Sequence, residues 1–270
     1  MRPSVIRLVA TDLDGTVVRT DGTVSARTVA ALAAVEAAGL LLVLVTGRPP
    51  RWMADVVAAT GHRGVALCGN GAFVYDLHTE QVLEVRPIAP DVGLEVVARL
   101  RTALPGAAFA VETGHAFAHD PRYRSRWATP PGTEVAPVEQ LLHHRVGKLL
   151  VRDEGNAGDA MLATARAVVG DLVEVTHSNP HDCLLEISAR GVSKASALAR
   201  YAAGHGVSAA EVLAFGDQPN DLPMLAWAGT AYVVANAHPD VRAAVPARTG
   251  AVDDDGVAAV LERLLDGSVS

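Results

Sequence analysis

The sequence predicts an α/β protein with a Rossmann-like parallel-sheet core and an inserted α+β cap domain. Three observations point there. Short apolar runs alternate with helical stretches at the start of the chain and again at its end. Those runs stop at polar or acidic residues, as buried parallel strands do where they reach the edge of a sheet. In the middle, strands follow one another directly, which marks a separate α+β unit.

Each element follows from a local pattern. Val5 to Ala10, broken only by Arg7, is a short buried strand that delivers Asp12 at its carboxyl end. A helix is predicted from about Ser25 to Ala38, with Ser25 as N-cap and Gly39 as its stop. Leu40 to Val45 is a second buried strand ending in Thr46-Gly47-Arg48, after which Pro49 and Pro50 open a helix. Val65 to Cys68 is a third strand, followed by Gly69-Asn70-Gly71 and a hairpin over Ala72 to Val85. Strand, helix, strand, helix in this order argues for a parallel sheet.

From about Pro87 the rhythm changes. A helix is predicted over Val92 to Ala103 and short strands near Ala108 to Glu112 and Ala116 to Ala118. A polar, proline-rich loop runs through Pro130-Pro131-Gly132. Then come a strand (Val146 to Val151), a helix (Asp159 to Val169) and two strands (Leu172 to Thr176, Leu184 to Ile187). The βα rhythm resumes with a helix from Lys194 to Ala203 and a strand, Val212 to Phe215, that ends in Gly216-Asp217. A short helix near Asn220, a strand over Tyr232 to Ala235 and a helix over Val257 to Leu265 complete the chain. The expected organisation is one sheet domain from residues 1–86 and 188–270, with an inserted lid from residues 87–187.

Composition narrows the function classes. The formal net charge is −7, and no basic stripe breaks the acidic surplus, so a nucleic-acid partner is not expected. The longest purely aliphatic run, Leu40 to Val45, is far too short to span a membrane, and the first residues do not resemble a signal peptide. Cys68 and Cys183 have no metal-type spacing and make no disulfide framework. A soluble cytoplasmic protein is expected. An acidic protein repels anionic ligands at long range, so a phosphate-ester site here would need local positive charge.

The candidate chemistry gathers at strand ends. Asp12, Thr46 and Asp217 each sit just past a buried strand, and parallel strands would bring all three to one rim. In Asp12-Leu13-Asp14-Gly15-Thr16, strand geometry sends Asp12 and Asp14 to the same side, where two carboxylates repel unless a cation lies between them. Asp217 adds a third, and Mg²⁺ suits a few carboxylates plus phosphate oxygens and water. A calcium loop does not fit: its sixth and twelfth positions call for Gly and Glu, and here they hold Val17 and Thr23. A plain turn remains the other reading.

The remaining positions each admit a bland reading. Thr46, with Gly47 behind it, could simply cap the next helix. Lys194 is one of only two lysines beside 21 arginines (23 basic residues in all) and starts a helix, where phosphate also binds. It could equally be solvated. Lys148, the other lysine, lies in an apolar run and reads as structural. In Gly216-Asp217-Gln218-Pro219-Asn220-Asp221, Asn220 and Asp221 could orient Lys194 or a phosphate oxygen, or could cap the helix.

Taken together, these motifs resemble the haloacid dehalogenase superfamily of phosphatases over essentially the whole chain. The carriers are Asp12-Leu13-Asp14-Gly15-Thr16, Val45-Thr46-Gly47-Arg48, Gly191-Val192-Ser193-Lys194 and Gly216-Asp217-Gln218-Pro219-Asn220-Asp221. The insertion between the second and third motifs resembles the Cof-type subgroup with its large α/β cap, as do Ala235-Asn236-Ala237-His238-Pro239 and Asp255-Gly256-Val257-Ala258. Gln218 departs from the small polar residue of many relatives, with an expected effect on local packing.

The resemblance implies a Mg²⁺-dependent phosphatase acting on a small phosphorylated metabolite. Asp12 would be nucleophile and metal ligand. Asp14 would be general acid and base, with its backbone carbonyl facing the metal. Thr46, Gly47, Lys194 and Asn220 would hold the phosphoryl group or substrate, Asp217 the metal, and Asp221 would support. The insert would choose the substrate, with His115, Arg122, Arg124, His177 and His181 as polar candidates. A phosphomutase or phosphotransferase shares these motifs. A phosphorylated receiver module places its acid pair before the phosphorylated Asp and carries no such insert.

Overall fold

The computed structural model describes residues 5–177 and 182–268. The chain begins with β1 (Leu8–Thr11), α1 (Ala26–Ala37), β2 (Leu41–Val45), a 3₁₀ turn into α2 (Met53–Thr60), β3 (Val65–Cys68) and the hairpin β4 (Phe73–Asp76) and β5 (Gln81–Val85). The middle holds α3 (Pro90–Ala103), β6 (Ala108–Glu112), β7 (Phe117–His119), β8 (Glu134–Val135), α4 (Val138–Leu141), β9 (Lys148–Arg152), α5 (Gly158–Val169), β10 (Val173–Thr176) and β11 (Leu184–Ala189). The last part holds α6 (Lys194–Gly204), β12 (Val212–Gly216), α7 (Leu222–Trp227), β13 (Thr230–Val233), α8 (Pro239–Ala244) and α9 (Gly256–Leu265).

Two sheets result. The first has the order β13-β12-β1-β2-β3-β4-β5. Its first five strands are parallel, and the β4–β5 hairpin closes the edge antiparallel. The core is therefore mixed rather than wholly parallel, because a hairpin has no helical crossover to reverse its direction. The second sheet, β10-β11-β9-β6-β7-β8, is antiparallel except where β7 meets β8.

Local chemistry accounts for these elements. β1 is buried along its whole length between β2 and β12, so Leu-Val-Ala must be apolar on both faces. Its register sets Thr11 level with Phe215 of β12 and Leu44 of β2. Asp12, Asp217 and Thr46 thus leave adjacent strands at one rim. Ser25 Oγ accepts from the Thr28 amide at 3.0 Å to cap α1, and Gly39 takes the left-handed conformation that ends it.

Three expectations shift. Lys148 opens β9 instead of lying inside a strand from Val146, and β13 is Thr230–Val233 rather than Tyr232 to Ala235. β8 and α4 follow the proline-rich loop, and α8 precedes the last helix, where none of the three was expected. At two to six residues, they show too few positions for a period to be read.

Each sheet has its own apolar cluster. One runs from Ile6 to Leu77 and from Val192 to Leu261. The other, from Ile88 to Ile187, belongs to the middle of the chain. Phe73 sits where they meet: a Cβ on Gly69, Gly114 or Gly147 would lie 2.4 to 3.0 Å from its ring. Those three glycines let backbone pack directly on the ring. Truncation by Phe73→Ala is expected to cost roughly 3–5 kcal/mol of unfolding free energy, which urea denaturation would measure. A loss near zero would show that Phe73 is not an organising contact.

Candidate active site

The rim brings four ionisable side chains into one buried cluster. Lys194 Nζ donates to Asp12 Oδ1 and to Asp221 Oδ1, each at 2.6 Å. The lysine is only 2 % exposed. It begins α6, which Ser193 and Ser196 cap reciprocally, so the helix start is held in place. The second oxygen of Asp221 accepts the backbone N–H groups of Asp217 and Gln218 at 3.0 Å. Asp221 therefore shapes the loop after β12 and anchors the ammonium at once. Asn220 does neither. Its amide donates to Asn70 Oδ1 at 3.3 Å, and its own buried Oδ1 has no partner among the described residues.

Thr16 completes the arrangement from the β1 side. Its hydroxyl lies 3.1 Å from Asp217 Oδ1 and 3.4 Å from Asp12 Oδ2. Gln218 donates to Asp217 Oδ2 at 2.9 Å, so this departure from the family pattern contacts an acid of the cluster as well as its packing neighbours. Gly15 has φ of +81°, and a Cβ there would lie 2.5 Å from Asp217 Oδ2. Only glycine lets the loop approach that carboxylate.

Asp12, Asp217 and Asp221 each offer an oxygen within 4.8 Å of the others. Three carboxylates against one ammonium leave a formal surplus of two negative charges in a buried site. Burial pushes the Asp12 carboxyl well up, against the pull of Lys194. Burial, reinforced by Asp221, pushes Asp217 up to about 6, with Gln218 holding it back. Burial works against the Lys194 ammonium, but the two carboxylates outweigh it and raise the lysine, which stays charged. Oxygen donors with this surplus fit a hard divalent cation. The oxygens of Asp221 serve Lys194 and two amides, whereas Asp12 Oδ2 and both oxygens of Asp217 meet only neutral side-chain donors and can turn to a cation.

Asp14 stands apart from this cluster. Its side chain is 57 % exposed, and Arg48 grips it with Nε to Oδ2 at 2.9 Å and Nη2 to Oδ1 at 2.5 Å. The expected repulsion between Asp12 and Asp14 does not arise, because each carboxylate faces its own cation. Thr46 is buried and accepts the Arg48 amide at 3.0 Å, while Gly47 beside it faces the cleft.

The cleft at this rim holds about 600 Å³, with Asp12, Asp14, Gly47, Lys194 and Asn220 among its walls. The second sheet supplies its roof, and here the sequence reading needs correction. Lys148, expected to be structural, ties the roof to the rim: its ammonium donates to Gly47 O at 2.9 Å and pairs with Glu186. Asn70, in a left-handed conformation between two glycines, donates to Glu186 at 2.9 Å and Thr176 at 3.3 Å. Arg51 pairs with Glu112 at 2.8 Å. Among the described residues, none of the named cap candidates lines this cleft. His115 is exposed, and Arg122 and Arg124 turn to backbone oxygens of their own sheet and loop. His177 meets Asp159 at 2.9 Å beside a neighbouring cleft. His181 lies outside the described residues. The residues missed carried faint signals: the rarity of lysine at Lys148, and an Asn between two glycines at Asn70.

A family model described as haloacid dehalogenase-like hydrolase matches residues 9–261. The chain belongs to this family. Among relatives of this hydrolase, the pyridoxal phosphate phosphatase YbhA of Escherichia coli is 27% identical, over 88% of this chain and 90% of its own. The HMP-PP phosphatase of Serratia proteamaculans is 28% identical, over 89% of this chain and 88% of its own. A solved phosphatase of the haloalkanoate enzyme superfamily from Bacteroides thetaiotaomicron shares the fold with a TM-score of 0.79. That structure is 23% identical, covering 98% of this chain and 96% of the other.

The buried charge surplus has a consequence for stability. Asp217 titrates near 6 in the fold against 3.8 for an ordinary aspartate, so the folded state holds more protons between those values. The contribution of Asp217 to stability therefore falls as pH rises from about 4 to about 6, by roughly 2–3 kcal/mol for a shift of this size. In EDTA the melting temperature is expected to drop across that window. A divalent cation or Asp217→Asn should flatten the drop. A flat profile in EDTA would show that the carboxylates are not in conflict.

Proposed function

We propose that this hydrolase is a Mg²⁺-dependent phosphatase of small phosphorylated metabolites, working through a phosphoaspartyl group on Asp12. The observation that carries the reading is the Asp12 carboxylate, buried at the cleft floor with one oxygen accepting from Lys194 Nζ at 2.6 Å. The relatives that cover most of the chain are named as phosphatases, which supports the same reaction class.

On this reading an Asp12 oxygen attacks phosphorus while the bond from phosphorus to the ester oxygen breaks. The leaving oxygen takes a proton from Asp14. Water then attacks phosphorus, Asp14 takes back a proton, phosphate departs and the Asp12 carboxylate is restored. For Asp14 to act, its carboxyl must turn from Arg48 toward the leaving oxygen. Lys194 lies within reach of both the Asp12 carboxylate and an incoming phosphoryl oxygen. Thr46 and Gly47 belong to the loop that faces that oxygen, and Asn220 lines the same cleft. Asp221 positions Lys194 and the loop carrying Asp217.

Mg²⁺, held by Asp12, Asp217 and the Asp14 backbone carbonyl, would neutralise charge so that an anionic carboxylate can meet an anionic ester. Residues 1–86 and 188–270 form the catalytic domain in this proposal, and residues 87–187 the cap that selects substrate and excludes water. A cytoplasmic location is part of it: Cys68 and Cys183 are unbridged, and no described helix is long and apolar enough to cross a membrane.

The test is hydrolysis of an aryl phosphate with Mg²⁺, with EDTA and for two variants. Asp12→Asn is expected to lower kcat by roughly 10³-fold or more. Asp217→Asn is expected to shift the half-saturating Mg²⁺ concentration upward. Undiminished turnover in Asp12→Asn would sink the proposal.

A further inference from the structure

The cleft wall opposite the acids is built of rings. Four of the chain's eleven aromatic residues (3 Trp, 4 Tyr, 4 Phe) line it: Trp52, Phe117, Tyr123 and Trp127. Trp52 and Trp127 meet edge-on at 5.2 Å, as do Phe117 and Tyr123 at 6.1 Å. The Arg51 guanidinium joins the two pairs, 4.7 Å from the Trp52 ring and 4.9 Å from that of Phe117. Glu112, almost fully buried, holds Arg51 by three hydrogen bonds of 2.8 to 3.3 Å. Leu150 and Leu184 extend the apolar surface. Trp127 stands on the polar, proline-rich loop and is 45% exposed, an unusual place for so large an apolar ring.

Three charged side chains of the same wall are already matched. Arg51 has Glu112, Lys148 has Glu186, and Asp182 has Arg152 and Arg126. A polyhydroxylated leaving group must trade its water for hydrogen bonds, and the charged side chains it would meet beside the rings are already held in ion pairs. A flat ring needs only faces, and stacking on Trp or on a planar guanidinium supplies them. The volume, about 600 Å³, lies in the range of small-molecule sites.

We propose that the substrate is a phosphate monoester whose leaving group carries a flat aromatic or heteroaromatic ring, held against Trp127 and the Arg51 plane. This rests on the phosphatase reading above and names its substrate class. Trp127 is the specificity-determining ring, Arg51 and Trp52 form the surface behind it, and Glu112 is a positioning residue for Arg51.

The experiment compares kcat/KM with Mg²⁺ for pyridoxal 5′-phosphate, benzyl phosphate, glucose 6-phosphate and acetyl phosphate. The first three are esters of primary alcohols, so their chemistry is matched. Acetyl phosphate, which has no ring, reports on the phosphoryl-transfer site alone. Both ring esters are expected to exceed glucose 6-phosphate by about tenfold or more. Trp127→Ala should lower kcat/KM for the ring esters by about tenfold, mainly through KM, and leave the other two unchanged. Trp127→Phe should restore most of the loss. Equal wild-type rates on glucose 6-phosphate and the ring esters would overturn the proposal, as would an equal loss on all four substrates in Trp127→Ala. If acetyl phosphate and every ester fail in the wild type, the phosphatase reading itself falls.

Discussion

One buried ammonium ties this molecule together. Lys194 bonds Asp12, which follows the first strand, and Asp221, which follows β12. It comes itself from the first helix after the inserted sheet. Three stretches far apart in sequence therefore meet on one side chain. Burying a charge is costly, and two short charge-assisted hydrogen bonds offset that cost only while both partners stay in place. The loop carrying Asp217, the position of Asp12 and the start of α6 all depend on that contact. Its three acids also leave the negative surplus that makes the site fit for a divalent cation.

A second set of contacts joins the inserted sheet to the rim. Lys148 reaches the Gly47 carbonyl, Asn70 reaches Glu186 and Thr176, Arg51 reaches Glu112, and Trp52 meets Trp127. Each crosses from the first sheet's loops to the second. They hold the second sheet over the cleft that contains Asp12. Apart from these contacts, the main apolar clusters of the two sheets meet at Phe73 and Ala189, so the roof can differ in chemistry from the floor.

Much of the fold was legible in local pattern. The strands that carry Asp12, Thr46 and Asp217 are continuous apolar runs, and such runs are read at sight because burial on both faces forbids polar residues. Ser25, Gly39 and the Lys194 helix start were visible through capping chemistry. The roof was harder. β8 spans two residues, and Lys148 sits in an apolar run whose pattern says burial but not partner. His115, Arg122 and Arg124 had the right side chains but do not line the cleft: all three sit in loops between short strands, where no period tells which way a side chain points.

By itself, the sequence determined the βα rhythm, the strand ends at Asp12, Thr46 and Asp217, and the reaction class its motifs imply. These are local properties, encoded in apolar runs, caps and short motifs. Only the tertiary structure decided who partners whom. It paired Asp14 with Arg48, made Asp221 instead of Asn220 the anchor of Lys194, and set the structural Lys148 in the cleft roof. It also gathered Trp52, Phe117, Tyr123 and Trp127 into one wall. Such pairings join residues tens to hundreds of positions apart. They are set by how two sheets pack, which no local period records.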